Sequence, residues 1–110
     1  MNATQLELQN VVIDISNKYG LIIDDDTNFN WHDDNEYPQE LYYYVKFNDE
    51  AIDKIIDAAN IPVFLTISEE YIRFDVDSAI VVGHKKHSKF SKKTINFVKK
   101  YIAENFCDFS

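Results

Sequence analysis

The stretch VFLTISEEYIRFDVDSAIVVG, Val63 to Gly83, decides the fold. It holds three runs of strand-favouring residues, Val63 to Ile67, Tyr71 to Val76 and Ala79 to Gly83, separated by Ser68-Glu69-Glu70 and by Asp77-Ser78. Such short connections join antiparallel neighbours, because a parallel pair needs a crossover of a dozen residues or more. In the middle run, alternation sends Ile72, Phe74 and Val76 to the core and leaves Tyr71, Arg73 and Asp75 outward.

Upstream, Ile52, Ile55, Ile56 and Ala59 form one apolar stripe at helical spacing, with Asn48 or Asp49 to cap its start and Asn60 and Pro62 to end it. Before that helix, Leu41 to Phe47 reads as a strand. Its alternation puts Leu41, Tyr43, Val45 and Phe47 on one face and Tyr42, Tyr44 and Lys46 on the other. At the N-terminus, Leu8, Val11, Val12, Ile15 and Tyr19 make a second helical stripe, with Thr4 and Glu7 as a capping box and Gly20 as its stop. Leu21 to Ile23 reads as a short strand, and an irregular strand around Asn28 to Trp31 is an option. Downstream, a helix over 91–106 points Ile95, Val98, Ile102 and Phe106 inward.

The order α-β-β-α-β-β-β-α predicts an α+β domain, with three helices on a mostly antiparallel sheet of 4–5 strands. The order of strands within the sheet is not legible. At 110 residues, 45% of them hydrophobic and with few glycines or prolines to mark a linker, residues 1–110 are expected to form a single globular domain.

Charge is unevenly placed. The formal net charge is −8, and the stretch from Asp24 to Glu50 carries nine acids against the single base Lys46. From His84 to Lys100 there are seven lysines and no acid. Both runs suit solvated faces, but net acidity also disfavours nucleic acid and anionic membranes as partners. The apolar runs are too short to span a membrane. The opening residues lack the basic end and apolar stretch of a signal peptide, so a cytoplasmic location is expected.

Catalytic and metal chemistry find little to work with. Asp24-x-Asp26-x-Asn28 imitates the opening of a calcium loop, yet Phe29 stands where the turn glycine belongs and Asn35 where a bidentate glutamate belongs. His32 beside Asp33 and Asp34 is a weak transition-metal set. Cys107 is the only cysteine and has no base near it in sequence. No hydrolase, metalloprotease or phosphate-loop motif occurs. No metal, no cofactor and no enzymatic activity are therefore expected.

Carboxylates interleaved with aromatic rings can stand in for a nucleic acid in a cationic groove. Asp24, Asp25, Asp26, Asp33, Asp34 and Glu36 would pair with a partner's lysines and arginines, while Trp31, Tyr42 and Tyr44 would form the dry centre. In size, acidity and lack of catalytic signature the chain is similar in type to immunity proteins of bacterial toxin systems, contact-dependent inhibition included. That similarity implies a cytoplasmic inhibitor, monomeric or weakly dimeric, whose partner is a basic toxin such as a nuclease. The alternative is a nucleic-acid-binding module working through Lys85, Lys86, Lys89, Lys92 and Lys93.

Overall fold

In a computed structural model of the chain, residues 3–24 and 40–106 are described. The elements run α1 (Ala3–Tyr19), β1 (Ile22–Ile23), β2 (Glu40–Lys46), α2 (Glu50–Ala59), β3 (Val63–Ser68), β4 (Ile72–Val76), β5 (Ala79–His84), a 3-10 turn over His87–Lys89 and α3 (Lys92–Phe106). The expected α+β class and element order hold. All five strands form one antiparallel sheet in the order β1-β2-β3-β4-β5, so every strand pairs with its neighbour in the chain.

The local rules that made these elements legible are at work in the structure. Asp49 caps α2: its carboxylate accepts from the Ile52 amide, and Asp53 reaches back to accept from the amides of Phe47 and Asp49. The helix stops where Asn60 turns left-handed at φ 53°. Ser91 opens α3, and the Thr94 hydroxyl accepts from the Ser91 amide. Asp77 and Ser78 both take positive φ, 50° and 71°, the signature of the tight hairpin turn that matches the twist of flanking strands.

One expectation needs adjusting. α1 already includes Thr4, so that residue lies inside the first turn and not before it. Phe106 points inward as expected, half-buried and packed against the core.

The core lies between the helices and one face of the sheet. Leu41, Tyr43 and Val45 from β2, Leu65 and Ile67 from β3, and Ile72, Phe74 and Val76 from β4 meet Leu8 and Val12 of α1, Ile52 and Ile56 of α2, and Ile95, Val98 and Ile102 of α3. Phe74 is completely buried, with ring centroids of Phe47 and Phe90 at 5.8 and 5.6 Å. Phe90 itself sits inside the lysine run, yet its ring is buried against Tyr19 and Phe74.

Candidate functional site

Cross-strand partners share a face, so the sheet register fixes what the other surface displays. Tyr44 pairs with Phe64 and Phe64 with Asp75; Tyr42 pairs with Thr66 and Thr66 with Arg73. These side chains stand opposite the core residues of the same strands. The Tyr44 and Phe64 ring centroids are 4.3 Å apart, and Tyr42 meets Phe64 edge-on at 5.3 Å and 84°. Tyr44 is 43% exposed and Ile22, beside it at the sheet edge, 52%. Three rings thus form a continuous aromatic strip on this face.

Next to the rings lies a charged network. Arg73 Nε is 3.2 Å from Asp75 Oδ1, its guanidinium reaches Glu40 at 3.9 Å, and its plane covers the Tyr71 ring at 5.0 Å. The Tyr71 hydroxyl donates to Glu40. Burial, followed by the adjacent Glu40 carboxylate, pushes the Tyr71 phenol up to about 12. Burial also pushes the Asp75 carboxyl above its ordinary value, with Arg73 pulling the other way. Its Oδ1 is buried and receives no well-aligned hydrogen bond. These groups hold one another in place, and Arg73 is already committed to two carboxylates.

A groove of about 660 Å³ opens at the edge of the same region, between β1–β2 and the C-terminal end of α2. Val45, Ile56 and Ile61 contribute its apolar lining, and Asp24, Tyr44 and Asp57 supply polar groups. Lys46 bridges to Asp57 beside it. Its size lies within the range of pockets that admit a whole side chain or a small ligand.

Of the residues proposed from sequence, Asp24, Tyr42 and Tyr44 fall within the described part of the chain. The backbone binds Asp24 to Tyr44, whose carbonyl accepts the Asp24 amide at 3.0 Å. Asp25, Asp26, Trp31, Asp33, Asp34 and Glu36, with the calcium-like pattern, His32 and Cys107, lie outside the described residues. Phe64 is not legible as a site residue, because Thr66 is the one polar residue in the run Val63 to Ile67; the contacts with Tyr42 and Tyr44 reveal it.

The basic run is anchored by its histidines. A His87 ring N–H donates to the Ser68 carbonyl at 2.7 Å, and His84 Nε2 shares a 2.9 Å hydrogen bond with the Thr94 hydroxyl. Lys85, Lys86, Lys89, Lys92 and Lys93 are all exposed, and none forms an ion pair among the described residues. One described ion pair joins the acidic middle to the basic helix, Lys99 to Asp49 at 3.2 Å. That lysine and the Ile52 amide hold the Asp49 carboxyl below its usual range, the amide bond being the larger cause.

Among the described residues no cluster of three histidine, cysteine or carboxylate groups is arranged to hold a metal ion, and no helix is long and apolar enough to cross a membrane. No family model, curated protein or solved structure matches this chain.

Proposed function

We propose that the protein is a non-enzymatic, cytoplasmic inhibitor that neutralises a basic toxin, most simply a nuclease, by occupying its nucleic-acid groove. The observation that carries this reading is the aromatic strip Tyr42–Phe64–Tyr44, on the sheet face opposite the helices and adjoining Asp24, where the acidic segment begins. Tyrosine rings held by their strand lose little entropy on binding and dominate interfaces when desolvated. The groove beside Tyr44, with Asp24 and Asp57 on its walls, suits a lysine or arginine side chain from the partner. The carboxylates from Asp24 to Glu36 steer the encounter, and the rings slow dissociation.

The test uses the product of the reading frame next to this gene, assayed for nuclease activity with and without the purified chain. Stoichiometric loss of activity is expected. The triple change of Asp24, Asp25 and Asp26 to Asn is expected to slow association by about tenfold or more at low salt, with a smaller effect at high salt. A neighbouring product that is no nuclease, or one whose activity the chain leaves intact, overturns the proposal.

The five exposed lysines, without an ion pair among the described residues, favour a second reading, contact with a phosphate backbone. Tight, salt-sensitive binding of single- or double-stranded nucleic acid in an anisotropy titration would favour that reading over the inhibitor.

A further inference from the structure

We infer that Lys46 is the placeholder of an arginine site: in the groove between β1–β2 and the end of α2, a guanidinium from the partner replaces the Lys46 ammonium on Asp57. The inference rests on the inhibitor reading for the source of that arginine. It deepens that reading by fixing which side chain anchors the interface and what it displaces.

The charge of the groove asks for a cation. Asp57 stands in the last turn of α2, where the carbonyl end of the helix already concentrates negative charge and disfavours a carboxylate. That turn carries no basic residue of its own. Among the groove's lining residues, Asp24 and Asp57 are set against a single base, Lys46. The bond from Lys46 Nζ to Asp57 Oδ1 demonstrates that the head of an alkyl cation can be seated here. Yet the two side chains remain 41% and 65% exposed, so the pair adds little stability and exchanges readily for a better one.

The walls are in place before anything binds. Asn60 is held in its left-handed turn, with its amide on the Asp57 carbonyl and the Ile61 amide on the Ile56 carbonyl. The next residue, Pro62, is tied to the β4–β5 turn by the Asp77 amide, which donates to its carbonyl at 2.9 Å. A wall fixed in this way costs little ordering when a ligand enters. Val45, Ile56 and Ile61 offer an apolar lining to a methylene stem, and the exposed Tyr44 ring, leaning on Phe64, forms part of the same groove.

These surroundings select arginine over lysine. A guanidinium is flat, so it can stack on the Tyr44 ring while its fork donates to both oxygens of one carboxylate. An ammonium is a compact point charge, and that of Lys46 takes only one oxygen of Asp57. The guanidinium is also the more weakly hydrated of the two, and leaves water at less cost beside Ile61 and Val45. That advantage is what lets it displace a lysine already in position.

The test is a proton–nitrogen NMR titration of the full chain, to ~50 mM, with acetyl-arginine amide, acetyl-lysine amide and the neutral isostere acetyl-citrulline amide, a range suited to a single side chain. Saturable shifts centred on Tyr44, Lys46 and Ile61 are expected for the arginine probe, about threefold or more weaker binding for the lysine probe, and none for citrulline. Asp57→Asn is expected to weaken the arginine probe by about tenfold, and Lys46→Gln, which vacates the carboxylate, to tighten it by about threefold. Circular dichroism checks that both variants keep their fold. Absence of saturable shifts overturns the inference, as does lysine binding equal to arginine, or an Asp57→Asn chain that binds unchanged. Equal binding of citrulline would assign the groove to an uncharged occupant, and weaker binding in Lys46→Gln would make that lysine part of the site; each overturns it too. Because no toxin enters the titration, its failure beside a successful nuclease assay removes the arginine site alone, and the reverse pattern removes the inhibitor reading alone.

Discussion

The two faces of the sheet are made by alternate residues of the same strands, yet they differ in almost every physical respect. On the covered face, Leu65, Ile67, Ile72 and Phe74 are fully buried and wholly apolar. On the other, Phe64, Thr66, Arg73 and Asp75 mix a ring, a hydroxyl and an ion pair on the partner positions of the same two strands. The covered face is a set of non-directional contacts, in which each lost atom leaves a void. The open face is a set of directional contacts between groups that water could also satisfy, and these add little net stability. Stability is therefore concentrated on one side of the sheet, and the other is left free for recognition.

The largest effect expected from this division is at Phe74. Phe74→Ala should cost about 3–5 kcal/mol in a urea titration, enough to unfold a marginal domain of this size. A loss under about 1 kcal/mol would mean that the core is not organised around that ring. On the open face, Tyr44→Ala removes stacking on Phe64 and should cost only about 0.5–1.5 kcal/mol in the same titration, while weakening inhibition of the partner far more. A stability loss as large as that of Phe74→Ala would erase the distinction between the faces.

The smallest effect is expected at Asp75, and its sign can be worked out. Burial raises its folded pKa above the ordinary value of 3.8, so the folded chain binds the proton more tightly than the unfolded chain does. Its contribution to stability therefore falls as pH rises above about 4. Asp75→Asn should flatten that fall, changing stability by less than about 1 kcal/mol at neutral pH, because the amide still accepts from Thr66 while Arg73 keeps Glu40. Stability curves of the two proteins that run parallel from pH 4 to pH 7 would contradict the raised pKa.

Legibility in the sequence followed the same division. Helical stripes such as Leu8-Val12-Ile15 and the alternation of Leu41-Tyr43-Val45 were readable because each depends on the water preference of residues close in the chain. Strand order was not, since it depends on which hydrophobic edges meet in space. The buried Phe90 was hidden by the lysines around it, and the outward Phe64 by its apolar neighbours. The Arg73–Asp75–Glu40 network needed the register of three strands before it existed at all. For the site, alternation correctly placed Tyr42 and Tyr44 outward. The two aromatic–acidic features it linked, the strip and the segment from Asp24 to Glu36, touch in the described chain only through Asp24.

The left-handed turn at Asp77 and Ser78 has a kinetic consequence. It closes β4 on β5 across two residues, and each remaining strand also joins its immediate predecessor, so the chain can zip from a local nucleus without a distant search. Two unions must span long intervening segments, that of β2 with β3 across residues 47–62 and that of β1 with β2 across residues 24–39. The C-terminal hairpin should thus be the seed of folding, and the strand that introduces the acidic segment the last to be captured.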